Sequence, residues 1–143
     1  MATTAAITIS SDIGMGAGIS KTMTLTKAGA LTDIEETTGF SRRKLAATTA
    51  VDLITMANEL VEPSDNTAAK VYVQNIGDGK GTIDKSTYVT VSIGDTGGTT
   101  QQVGRLYGGD WLMMPVTVVD DMDVVVAPST NDAVVLEYTM FYE

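Results

Sequence analysis

Ser86-Thr-Tyr-Val-Thr-Val-Ser-Ile93 and Ala133-Val-Val-Leu-Glu-Tyr-Thr-Met-Phe-Tyr142 decide the fold. In a strand successive side chains point to opposite faces, so Val89, Val91 and Ile93 share one face while Tyr88, Thr90 and Ser92 share the other. Val134, Leu136, Tyr138 and Met140 repeat the stripe opposite Val135, Glu137 and Thr139, which predicts a long, central strand. Each segment buries one face.

Working outward, Lys70-Val-Tyr-Val-Gln-Asn-Ile76, Gln102-Val-Gly-Arg-Leu-Tyr107, Trp111-Leu-Met-Met-Pro-Val116 and Met122-Asp-Val-Val-Val-Ala127 read as further strands. Between them lie Gly77-Asp-Gly-Lys-Gly81, Asp95-Thr-Gly-Gly98, Gly108-Gly109 and Pro128-Ser-Thr-Asn-Asp132. These residues turn a chain by adopting positive φ or by bonding side chain to backbone. Short strands at such spacing predict a sandwich or barrel. Residues 46–61 fit a helical face through Ala50, Leu53, Ile54, Ala57, Leu60 and Val61, yet Thr48, Thr49, Val51 and Thr55 favour strand. The β context selects a strand over Leu45–Met56, with residues 57–68 as a loop.

The first 44 residues are poor in large apolar side chains and do not make a core of their own. They read as an extended N-terminal arm ahead of a β domain over residues 45–143. Ala6-Ile-Thr-Ile-Ser10 and Lys21-Thr-Met-Thr-Leu-Thr26 alternate as strands that a neighbour's sheet edge would complete. Thr32 and Glu35 have capping-box spacing, compatible with a short helical turn.

Composition narrows the function. The 143 residues suit one domain. Cysteine and histidine are both absent, which removes thiolate chemistry, the usual general base and the commonest transition-metal ligand. The start has no basic segment leading into an apolar stretch, and nowhere do about eighteen apolar residues run together. Neither a secretion signal nor a membrane span is expected. The net charge of −9 repels phosphate backbones and anionic lipid, so neither nucleic acid nor membrane is an expected partner. Residues 1–44 carry five basic and four acidic groups, and residues 45–143 carry four and fourteen.

No constellation points to catalysis, and no cofactor or metal is called for. Gly14, Gly16 and Gly18 lack the spacing of a phosphate-binding fingerprint. Asp120, Asp121 and Asp123 could offer oxygens to a hard cation, but lack the glycine-spaced loop of a dedicated calcium site. Asp110 beside Trp111 suggests an acid in an apolar cleft, but a hairpin turn at Gly108–Asp110 with Trp111 anchoring a core or interface is the better account. Arg42-Arg43-Lys44 suits docking on an acidic protein surface, with a solvated charge run as the plain alternative. Tyr138, Phe141, Tyr142, Met113 and Met114 suit core or subunit contacts. The expected interface residues are Ile7, Ile9, Met23, Leu25, Arg42, Arg43, Lys44, Trp111 and Met113.

Val71-Tyr-Val-Gln-Asn-Ile76, Tyr88-Val-Thr-Val-Ser-Ile-Gly94, Gly104-Arg-Leu-Tyr-Gly-Gly-Asp-Trp-Leu-Met-Met-Pro115 and Val135-Leu-Glu-Tyr138 follow an order that resembles small virion structural proteins of tailed bacteriophages, of cyanophage type. The resemblance covers about residues 45–143. It implies a β-sandwich or jelly-roll module assembled as a homotrimer on the virion, with the major capsid protein as partner and no catalytic residues. Within that resemblance the leading role is a head decoration, or cement, protein that clamps capsomers, made in the host cytoplasm and carried on the capsid surface. The other role is a fibre or tail module that binds a receptor or carbohydrate, with Trp111, Tyr107 or Tyr88 stacking on sugar.

Overall fold

The computed structural model describes residues 4–9, 19–24, 36–56, 68–80, 82, 85–119 and 121–142. The chain divides into two compact units, Met1–Glu35 and Glu36–Glu143. In the first, β1 (Thr4–Ile9) and β2 (Ile19–Thr24) pair antiparallel with each other, Ile7 opposite Lys21 and Ile9 opposite Ile19. The arm strands expected to await a neighbour's edge are therefore already partnered in a hairpin. Leu25, Thr32 and Glu35 lie outside the described residues.

The second unit begins earlier than the sequence suggests. Glu36–Thr37 (β3) and Ser41–Leu45 (β4) both pair with the final strand Val134–Tyr142 (β11), so residues 36–44 belong to the body and not to an arm. The reason is local: Arg42 and Lys44 alternate with Arg43 and Leu45, and Leu45 is buried.

The remaining strands are Val51–Ile54 (β5), Ala68–Asn75 (β6), Tyr88–Gly94 (β7), Thr100–Tyr107 (β8), Trp111–Thr117 (β9) and Val124–Pro128 (β10). One sheet has the order β5-β10-β7-β8; the other has β11 flanked by β6 and by β3 and β4, with β9 beyond β6. The pairings nest: β4 with β11, β5 with β10, β6 with β9, and β7 with β8, all antiparallel. That is a long hairpin with its tip between β7 and β8. Rolling it up adds the β11–β6 and β10–β7 ladders and gives a jelly-roll β-sandwich.

Both inner faces follow the alternation. Val71 and Val73 of β6, Val89 and Val91 of β7, Val124 and Val126 of β10, and Leu136 and Met140 of β11 are fully buried in one core. Each such side chain contributes about 1.5–3 kcal/mol through burial. Two elements differ from the sequence reading. The strand expected over Leu45–Met56 is broken by the exposed stretch Ala46–Ala50, which carries the chain from one sheet to the other. The Gly108–Asp110 turn likewise crosses between sheets, since β8 and β9 are not paired.

Candidate functional site

The outer face of the second sheet departs from an ordinary solvated strand surface. Register places Arg42, Glu137, Gln74 and Trp111 in one row across β4, β11, β6 and β9. Thr139, Tyr72 and Met113 form the next row, and Phe141, Lys70 and Pro115 the one after. Phe40, immediately before β4, is 68% exposed, and Trp111 is 41% exposed. Tyr72 lies between them, with ring centroids 5.9 Å from Phe40 and 6.3 Å from Trp111. The Phe40 contact is edge-on at 76° and the Trp111 contact is tilted by 35°. Three aromatic rings thus form a row over the sheet, held together by favourable edge and tilted contacts.

The charged groups of this face are of both signs. Arg42 Nε donates to Glu137 Oε2 at 2.8 Å, an exposed pair of modest value. Lys44 is exposed on the same side of β4, and Lys70 lies on β6. Tyr72 Oη donates to Gln74 Oε1 at 2.7 Å, and burial together with the charge of Glu137 pushes the phenol pKa up. Arg42, Lys44, Trp111 and Met113, expected at an interface, therefore share one face. Arg43 points the other way, where its guanidinium donates to the Asp52 carbonyl. Ile7, Ile9 and Met23 sit in the separate hairpin unit.

A second cluster lies where β5 ends and the β7–β8 and β9–β10 connections meet. Met56 N–H donates to Asp123 Oδ1 at 2.8 Å, and Gly94 N–H donates to the Asp123 carbonyl at 3.0 Å. Thr96 Oγ1 donates to Asp52 Oδ2 at 3.0 Å, while Asp52 Oδ1 is buried without a hydrogen-bond partner among the described residues. Burial raises the Asp123 pKa, the Met56 bond opposes that, and the charges of Asp52, Asp95 and Asp121 raise it further. Asp121 adopts φ 67°, the left-handed turn conformation that aspartate tolerates. No group of three acidic side chains among the described residues is arranged to hold a metal ion, and Asp120 lies outside them.

The other candidates have structural employment. Asp110 Oδ2 accepts from Tyr107 N–H at 3.0 Å and is exposed, so it closes a turn instead of lying in an apolar cleft. Tyr88 and Tyr107 lie with ring centroids 5.3 Å apart and planes tilted by 57° on the outer face of the first sheet, with the Arg105 guanidinium 4.5 Å from the Tyr88 centroid. Trp111 lies on the opposite sheet, so these three aromatics do not form a common platform. A cleft of about 290 Å³ is lined by Lys44, Asp78, Lys80 and Asp132. Its Asp78 carboxylate already accepts Lys80 N–H at 2.7 Å and Thr82 N–H at 3.1 Å, and these bonds hold its pKa low.

Tyr72 and Phe40 were absent from the expected interface residues. Tyr72 carried a usable signal, because it falls between Val71 and Val73 and must face outward where they face inward. Phe40 carried none, since its exposure depends on where β4 docks.

No family model matches the sequence, and no curated protein matches it. Among solved structures, a chain from Bacillus endospore appendages, reported as "a novel family of disulfide-linked pili", is similar at a TM-score of 0.41 and 18% identity, over 79% of this chain and 95% of that chain.

Proposed function

We propose that this chain is a non-catalytic virion structural protein, a capsid decoration or cement subunit that assembles as a homotrimer and clamps capsomers of a tailed-phage head. The observation that carries the reading is the outer face of the second sheet, where Phe40, Tyr72 and Trp111 lie exposed or half-exposed beside Arg42 and Lys44. Aromatic and arginine side chains at the centre of a surface are the groups that dominate protein contacts. A rigid jelly roll presenting such a face, with a separate N-terminal hairpin, suits a protein that acts by covering surface. The virion assignment itself draws on the residue pattern resembling small phage structural proteins. Partners under this reading are the major capsid protein and further copies of the chain.

Immunogold labelling of virions of the encoding phage, with a tag at the C-terminus, tests the assignment. Label over the head surface in many copies supports it. Label confined to the tail or fibres, or absent from purified particles, overturns it.

A further inference from the structure

We propose that Arg105, Tyr88 and Tyr107, on the outer face of the first sheet, form a binding site for a sugar residue that carries a single carboxylate. The site lies on the other sheet from the face assigned above to protein contact, so it stands independently of that assignment.

The chain has three arginines, and two of them are engaged. Arg42 pairs with Glu137, and Arg43 donates to the Asp52 carbonyl. Arg105 has its guanidinium 4.5 Å from the centre of the Tyr88 ring and no hydrogen-bond or ion-pair partner among the described residues, although the chain carries 18 acidic groups. A guanidinium resting on an aromatic ring keeps its N–H fork free for a planar acceptor, and a carboxylate matches that fork with two parallel bonds.

The tyrosines beside it are held in place. Tyr88 N–H donates to Ser129 Oγ at 3.0 Å, and the Tyr88 carbonyl accepts from Ser129 N–H at 2.9 Å. Tyr107 N–H donates to Asp110 Oδ2 at 3.0 Å, and the Tyr107 carbonyl accepts from Asp110 N–H at 2.9 Å. Register sets Tyr107 opposite Tyr88 and Arg105 opposite Thr90, so rings, guanidinium and hydroxyl share one face of β7 and β8. Tyr107 is 38% exposed, which leaves ring area for the C–H face of a pyranose, while phenol and threonine hydroxyls suit sugar hydroxyls. A bare carboxylate would use Arg105 and leave the tyrosines idle, and a neutral sugar would do the reverse; an acidic sugar uses both. One free arginine answers one carboxylate, and the net charge of −9 repels a chain of them, which disfavours polyuronates, sulfated glycans and nucleic acid.

Amide NMR spectra of the full chain titrated with methyl β-D-glucuronide test this, with methyl β-D-glucoside removing the carboxylate and acetate removing the ring. The glucuronide is expected to bind saturably, to shift the Arg105 side-chain N–H and the Tyr107 amide together, and to bind at least about tenfold more tightly than either control. Arg105→Lys keeps the charge but loses the fork, and is expected to weaken glucuronide binding about tenfold without altering thermal unfolding. Tyr107→Ser is expected to weaken the glucuronide and leave acetate unchanged. Equal binding of glucuronide and glucoside shows the arginine idle, and equal binding of glucuronide and acetate shows an ion site only; either overturns the proposal. So does the absence of saturable shifts at these residues, or an Arg105→Lys variant that binds the glucuronide as tightly as wild type.

Discussion

Asn75 Nδ2 of one sheet donates to the Leu106 carbonyl of the other at 3.0 Å, and Asn75 Oδ1 accepts from Gly77 N–H at 3.0 Å. The Asn75 backbone completes the tie: its N–H donates to the Asp110 carbonyl and its carbonyl accepts from Gly109 N–H at 2.8 Å. A buried asparagine with every group engaged locks the two sheets and two connections in one arrangement. Asn75→Ala leaves the Leu106 carbonyl and Gly77 N–H without these partners. It is expected to cost about 2–4 kcal/mol in urea unfolding at pH 7. Asn75→Asp, which sets a carboxylate against the Leu106 carbonyl, is expected to cost more.

Asp123 gives the stability a definite pH dependence. Its folded pKa lies above the ordinary 3.8, so the native state binds that proton more tightly than the unfolded chain does. Its contribution therefore declines as pH rises through the interval from 3.8 to the folded value, and the deficit persists above it. Asp123→Asn keeps an oxygen for Met56 N–H and removes the charge. Thermal scans should show this variant more stable than wild type at pH 7, with the difference closing as pH falls below that interval. Asp123→Ala, which abandons the Met56 bond, should lose about 1–3 kcal/mol.

Two strand glycines should respond in opposite ways to alanine. At Gly94, φ is +139° and an added Cβ would lie 2.3 Å from the Thr99 carbonyl oxygen. Backbone must move, and Gly94→Ala is expected to cost about 2–4 kcal/mol. At Gly104 nothing lies within 4 Å of such a Cβ. There the substitution should be neutral or stabilise by about 0.5–1 kcal/mol, because glycine is a poor strand residue. Paired denaturant titrations read both.

The unit boundary separates two truncations. Removing residues 1–35 takes away the β1–β2 unit and should leave a cooperatively unfolding body. Removing residues 1–44 also strips β3 and nearly all of β4 from β11, uncovering the long strand and its buried Leu136. That truncation is expected to lose several kcal/mol and to bind a dye for exposed apolar surface. Equal stability of the two would contradict the boundary at Glu36.

The β class was legible because alternation is a local signal: Val89 and Val91, or Leu136 and Met140, declare a buried face within one segment. Which strand meets which was not, since nested pairing of β4 with β11 joins residues some ninety positions apart. Thr48 and Thr49 favour extended backbone yet lie on an exposed crossing, so β4 and β5 read as one strand. Of the interface residues, Arg42, Lys44, Trp111 and Met113 converge only through the register of four strands. Arg43 shows the cost of reading a charge run as a unit, because period-two alternation turns it away from its neighbours.

Sedimentation equilibrium of the full chain near physiological salt and pH 7 bears most directly on the account of a protein that works by assembling through its surfaces. The expected result is a concentration-dependent trimer of the 15.0 kDa chain that loosens as salt is raised. A monomer that persists to millimolar concentration, with no dependence on salt, would contradict it.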